Sequence, residues 1–228
     1  MRIYFVRHGH PDYKNDCLTA LGHRQAEAAA ERLKTCGIER IFSSTKGRAL
    51  MTADYTAKAL SLETVPCDFM REISWGPIGD EPILANGHPW DISDIYASEG
   101  KNLRMSDWTA EEPYCKSKIV RCVDTVTCGL DAWLEELGYK REGEYYRVVG
   151  KETDKAVAMF GHGGSFCAAF SHLFGIPLPQ VCGFFRVDFT GIVLIEFSNE
   201  TGTLIYPKML SSDAEHIKGL EAESYYGN

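Results

Sequence analysis

Arg2-Ile3-Tyr4-Phe5-Val6-Arg7-His8-Gly9-His10-Pro11 sets a short apolar run against a loop punctuated by Gly and Pro. The run from Ile3 to Val6 reads as a buried strand, and the polar residues begin where it ends. Outward from it, Thr19 is an N-cap candidate before Leu21, Ala26, Ala29, Ala30 and Leu33, a helical spacing that closes at Cys36-Gly37 with Gly37 as C′. A second strand around Arg40 to Phe42 passes through Ser43-Ser44-Thr45 into a helix carrying Arg48, Ala49, Thr52, Ala53, Ala57 and Leu60. A third junction has the same grammar: Lys155 to Phe160 is a compact apolar strand that runs into Gly161-His162-Gly163-Gly164-Ser165 and a helix from Phe166 to Phe174.

Between Trp75 and about Glu112 the pattern breaks into Gly, Pro, Asp and Asn with scattered tryptophans, which predicts an irregular insertion and a candidate lid. Helical spacing returns with Ile119, Val123, Val126, Leu130, Trp133, Leu134 and Leu137, closed by Gly138. Strands are expected at Tyr145–Val149, Gly191–Phe197 and Thr203–Tyr206, followed by a polar tail. Alternating strands and helices predict one α/β domain over residues 1–228, a three-layer α/β/α sandwich with a mainly parallel sheet. Ligands then gather at the carboxyl ends of the strands.

Composition narrows the partners. At 44% hydrophobic and 25% charged the chain is an ordinary globular protein. Roughly 70–75% of the unfolded surface should be buried at this length, so the core needs no staple. Eight cysteines form no CxxC pair, so neither a zinc site nor a redox motif is read, and reduced thiols in a cytoplasmic protein are expected. No apolar run approaches a membrane span. The net charge of −8 argues against nucleic acid and anionic membranes, and it requires any anion site to be a compact cationic pocket.

Three strand-end loops carry such a pocket. Arg7-His8-Gly9 puts a fixed cation beside an imidazole. Arg48 lies near the start of its helix, where the N–H groups of Thr45 to Gly47 favour an anion. His162 is followed by two glycines and a helix start, again an array of donors. Two arginines and two histidines converging on one oxyanion point to a phosphate monoester.

With these residues in hand, the sequence resembles the histidine phosphatase superfamily, which includes the cofactor-dependent phosphoglycerate mutases. The resemblance rests on Arg7-His8-Gly9, on Leu18-Thr19 with Gly22 and Gln25-Ala26, on Ser43 through Ala53, and on Gly161 to Gly164. It spans residues 1–62 and about 155–197 and implies the mutase-like α/β sandwich. It further implies that His8 is a nucleophile that becomes phosphohistidine, and that Arg7, Arg48, His162 and Gly163 hold the phosphoryl group. No metal or other cofactor is then expected. Phe69 to Gly76 resembles the segment that carries the general acid, which selects Glu72 over its competitors Asp68, Asp80 and Glu81.

The departures from the family pattern are specific. His10-Pro11 replaces the usual Glu or Gln, so His10 and, with a one-residue shift, Asn15 are the candidate substrate contacts. Lys46-Gly47 replaces the commoner Pro-Leu. The mutases' additional adjacent arginines are absent from the middle, which holds Trp75, Trp90, Trp108, Tyr96 and Tyr114 with scattered Lys101, Arg104, Lys116 and Lys118. Hydrolysis of a small phosphorylated metabolite is therefore the first expectation, mutase-type transfer the second, and a non-catalytic phosphate-binding module the third. The apolar 183–197 stretch is either a core strand or an edge through which a homodimer forms.

Overall fold

In the computed structural model, which describes residues 1–79, 88–105, 107–150 and 155–221, the opening apolar run is strand β1, Arg2–Arg7. Its unbroken hydrophobicity has a geometric reason. Ile3 and Phe5 join a core with Phe42, Met159 and Phe166 on one face of the sheet. Tyr4 and Val6 join Leu33, Ile41, Ala53 and Phe160 on the other. A strand covered on both faces needs apolar side chains at every position.

After a small ribbon of β2 (Pro11–Asp12) and β3 (Cys17–Leu18), the chain alternates through α1 (Ala20–Leu33), β4 (Ile38–Ser44), α2 (Gly47–Leu60) and β5 (Thr64–Cys67). Helices α3 (Ile92–Ser98) and α4 (Ile119–Glu136) precede a hairpin of β6 (Tyr139–Glu142) and β7 (Tyr145–Val148). Strand β8 (Ala156–Gly161), α5 (Gly163–Phe174), α6 (Leu178–Phe184), β9 (Ile192–Glu196), β10 (Leu204–Ile205) and β11 (Lys208–Asp213) complete it.

The main sheet runs β11-β9-β1-β8-β4-β5. β1, β8, β4 and β5 are mutually parallel, and β9 and β11 extend the sheet antiparallel to their neighbours. Helices α1 and α2 cover one face and α4 and α5 the other, which makes three layers around a mainly parallel sheet. Helix α1 starts where its cap predicts, with Thr19 Oγ1 accepting the Gly22 N–H at 3.1 Å. It stops at Lys34 rather than at Cys36, and a further turn carries the chain to Gly37, whose φ of +69° suits glycine.

Of the two alternatives for residues 183–197 the core strand holds, since β9 is flanked by β1 and β11. Two expectations are corrected. The polar tail is not featureless, because it contributes β11, the true edge on that side. The 75–112 segment is not wholly irregular, since it contains α3, and Trp75 and Trp108 both pack against the ring of Tyr114. Residues 80–87 of that segment, with the candidate acids Asp80 and Glu81, lie outside the described residues.

Candidate active site

The three chemically marked loops meet because their strands are neighbours. β8 lies between β1 and β4, so the ends of all three open into one crevice. The backbone N–H of His8 donates to the Gly161 carbonyl at 3.0 Å, which ties the first loop to the third. Gly9 N–H donates to Thr52 Oγ1 on α2 at 3.0 Å, which ties the first to the second.

His8 is 1% exposed. Its Nδ1 lies 2.7 Å from the Gly9 carbonyl oxygen. A carbonyl only accepts, so this bond assigns the ring proton to Nδ1 and leaves the Nε2 lone pair uncovered by hydrogen. Arg48 Nε donates toward that Nε2 at 3.3 Å. Burial pushes the His8 pKa well below its ordinary 6.5, and the Arg7 and Arg48 charges push the same way. His8 is thus a neutral imidazole whose unprotonated nitrogen faces a guanidinium.

Arg7 is buried, with its guanidinium 4.2 Å over the Phe189 ring and Nη1 donating to the Val187 carbonyl at 2.8 Å. Gly163 opens α5 directly beside it, close enough that a Cβ there would lie 3.6 Å from Arg7 Nε. The His162 ring sits 5.1 Å from the His8 ring, and its Nε2 is 2.8 Å from Ser44 Oγ. Burial and the neighbouring His8, Arg48 and Arg7 charges hold the His162 pKa well below the ordinary value. Lys46, half-buried at the N-cap of α2, adds positive charge from the same side.

Glu72 follows the 3-10 turn Asp68–Met70 and reaches the start of α5, where Oε1 accepts the N–H groups of Ser165 at 3.1 Å and Ile73 at 3.0 Å. The contact depends on Gly164, since a Cβ there would lie 2.6 Å from Glu72 Oε1. Burial raises the Glu72 pKa, and this outweighs the opposing pull of Arg7, Arg48 and the two N–H groups. The competitor Asp68 is an exposed carboxylate bonded to Thr45 Oγ1 at 2.7 Å.

Of the two remaining sequence candidates, Asn15 stands apart from this cluster and His10 lies at its margin, on the Phe189 ring that His8 also packs against. Asn15 is exposed and bonds Asp12 through its side chain at 2.7 Å, so it closes a surface turn. The His10 ring lies 5.3 Å from Phe189, but its Nδ1 is 2.9 Å from Thr19 Oγ1, which ties it to the α1 cap. The residue absent from the sequence reading is Asp16. Its Oδ1 meets Arg48 Nη1 at 2.6 Å, and its Oδ2 accepts the Gly47 N–H at 2.9 Å. The Gly47 donor expected to be open to an anion is therefore taken by this carboxylate. Burial alone would raise the Asp16 pKa, yet Gly47 and Arg48 hold it below the usual range.

Among the described residues, no group of three or more His, Cys, Asp or Glu side chains is gathered to hold a metal ion. What the cluster offers is a neutral imidazole with an unprotonated nitrogen, two buried guanidiniums, a second neutral imidazole and a carboxyl of raised pKa. A family profile, that of the histidine phosphatase superfamily (branch 1), matches residues 3–207. The chain belongs to the histidine phosphatase superfamily.

This histidine phosphatase superfamily member is 34% identical over 205 residues to the probable phosphoglycerate mutase GpmB of Yersinia pestis (strain Pestoides F), covering 83% of this chain and 85% of that one. The match to the Proteus mirabilis protein of the same name is also 34% identical but spans only 36% of this chain and 43% of that relative. The match to the Yersinia enterocolitica one spans 57% of its length. Among solved structures, a mutant phosphoserine phosphatase of Entamoeba histolytica in complex with phosphoserine superposes with a TM-score of 0.60 at 20% identity, covering 95% of this chain and 98% of the other. The mycobacterial glucosyl-3-phosphoglycerate phosphatase with VO3 gives 0.60 at 22% identity, covering 92% and 97%. At these identities the likeness establishes the shared fold.

Proposed function

We propose that this chain is a phosphomonoester hydrolase that works through a phosphohistidine on His8, with a small phosphorylated metabolite as substrate. The observation that carries the reading is the His8 ring: Nδ1–H is committed to Gly9 and Nε2 is unprotonated beside Arg48. A scaffold that only bound phosphate would gain more from a charged imidazole than from a neutral one.

In the reaction, the Nε2 lone pair attacks phosphorus and the bond from phosphorus to the leaving oxygen breaks. Glu72 in its acid form gives that oxygen a proton, so an alcohol departs and Glu72 becomes a carboxylate. Water then attacks phosphorus of the phosphohistidine, the Glu72 carboxylate takes a proton from that water, the bond from phosphorus to Nε2 breaks, and phosphate leaves with His8 and Glu72 restored. Arg7, Arg48, His162 and the Gly163 N–H stabilise the equatorial oxygens, a role in which one arginine can supply about 10³–10⁵ in rate. The guanidiniums provide this positive charge without a metal ion. A cytoplasmic setting suits the eight free thiols.

The test is release of phosphate from p-nitrophenyl phosphate with and without EDTA, for wild type and His8→Ala. EDTA-resistant turnover that falls by at least ~10³-fold in the variant is the expected result. Turnover that survives in the variant would remove the nucleophile assignment. A second reading, mutase-type phosphoryl transfer, is favoured by the names of the relatives that are 34% identical. Conversion of 3-phosphoglycerate to 2-phosphoglycerate, stimulated by 2,3-bisphosphoglycerate and faster than phosphate release, would favour it over hydrolysis.

A further inference from the structure

We propose that the site selects phosphomonoesters whose leaving alcohol carries an aromatic or comparably bulky apolar group and no carboxylate. This rests on the hydrolase reading and adds the substrate class. A cleft of about 320 Å³ opens beside the phosphoryl site, sharing Arg7 and Gly163 with it. That volume suits a small organic group.

The walls of the cleft are rings. Phe166 and Phe170 of α5 form its inner side, and Trp90, Phe184 and Phe185 its outer side. Phe184 and Phe185 remain 65% and 45% exposed, although α6 ends there and the core lies within reach. Large rings left in water at the mouth of a cleft mark an apolar contact surface awaiting a ligand. The Trp90 ring is held by stacking on His88, with ring centroids 5.3 Å apart. The far wall is close: a Cβ on Gly183 of α6 would come within 2.8 Å of Ser93 Cβ on α3, so the space ends there.

Charge sets the second half of the proposal. The α3 side presents Asp91 and Asp94, and the Arg186 guanidinium across the cleft is bonded to Asp188 at 3.0 Å. Among the described residues, the cleft beyond Arg7 thus presents the carboxylates of Asp94 and of Asp91, which also accepts the His88 N–H at 2.9 Å, and a cation bonded to Asp188. A leaving group with its own carboxylate would meet repulsion, while a neutral ring would meet rings.

The decisive comparison uses 2-phenylethyl phosphate and ethyl phosphate, which release primary alcohols of similar leaving ability, so that only the ring differs. The expected ratio of kcat/KM in favour of the phenylethyl ester is about 10- to 100-fold, the range for burying one ring. Phe184→Ala and Phe185→Ala should each pull that ratio several-fold toward one. Phe184 is mostly exposed, so its variant is expected to fold. 3-Phosphoglycerate should be turned over less efficiently than 2-phenylethyl phosphate. A wild-type ratio near one, a ratio indifferent to both variants, or a preference for 3-phosphoglycerate would each overturn the proposal.

Calorimetric titration with 2-phenylethylphosphonate and ethylphosphonate separates the two readings, because phosphonates report binding without turnover. Tenfold tighter binding of the phenyl compound with no hydrolysis of any ester would sustain the cleft and sink the hydrolase. Hydrolysis with equal phosphonate affinities would do the reverse.

Discussion

At Glu72 two influences oppose each other, burial raising the pKa and the arginines lowering it, and burial prevails. The acid form persists above the usual carboxylate range and is lost as pH rises through the raised pKa, so turnover of poor leaving groups should fall on the alkaline side. Glu72→Gln should slow ethyl phosphate by about 10²–10⁴-fold and p-nitrophenyl phosphate far less, since nitrophenolate leaves without a proton. Equal slowing of both esters, read from kcat, would count against Glu72. His8 sets the other limb: its depressed pKa keeps it neutral well below pH 6.5, so activity should persist into mildly acidic solution. Asp16 yields a different test. Asp16→Asn removes a negative charge from beside Arg48, and inorganic phosphate should then inhibit at about fivefold lower concentration, the scale of a partly exposed ion pair. An unchanged inhibition constant would show that Asp16 only shapes the loop. Arg7, His8, Arg48 and His162 were legible because each lies in a loop or helix start that follows an apolar strand. Asp16 was not, because it reaches Arg48 only through a backbone turned to φ +50° and through the missing side chain of Gly47, where a Cβ would lie 2.2 Å from the Asp16 carbonyl oxygen.

Helix α5 shows how an element delivers chemistry. Its first turn is bare of side chains at Gly163 and Gly164, so Glu72 can lie against it and accept the Ser165 N–H. Gly164→Ala should displace the carboxyl and lower turnover of ethyl phosphate by at least ~10-fold, while the added Cβ is itself favourable to helix formation by roughly 1 kcal/mol. A variant with unaltered turnover would mean that Glu72 need not occupy its present place. Elements of this kind announce themselves in sequence through periodicity, and β1, α1, β4, α2, α4, β8 and α5 do so. The elements that stayed hidden have a shared physical cause. β11 is exposed along nearly its whole length and β6 has one buried residue, Tyr139, so neither carries the alternation that marks a half-buried strand. α3 is a short helix set among turn-forming residues, too brief for its spacing to be told from chance.

For the molecule as a whole, the buried imidazoles of His8 and His162 couple the proposed chemistry to stability. Both have pKa values depressed below 6.5, so the unfolded chain takes up their protons first as pH falls. Stability is then present in full above about pH 6.5 and is withdrawn as pH drops from there toward the depressed values. Glu72 has the opposite sign, gaining stability on acidification, but it is one group against two. The melting temperature should be several degrees lower at pH 5 than at pH 7.5, and a His8→Asn/His162→Asn double variant should lose much of that difference. A wild-type melting temperature that is flat over this interval would contradict the linkage. The order of strands bears on another matter, the making of the protein. β8 is central in space but is synthesised long after β1 and β4, with residues 45–155 in between. Until it emerges from the ribosome, the facing edges of β1 and β4 have no mate, and a nascent chain holds two open apolar strands that cannot close on each other in their final register. Parallel pairing over such a sequence separation is slow and prone to aggregation. The slot that completes the crevice is thus also a point at which synthesis is exposed to self-association, and it closes only when β8 has been inserted.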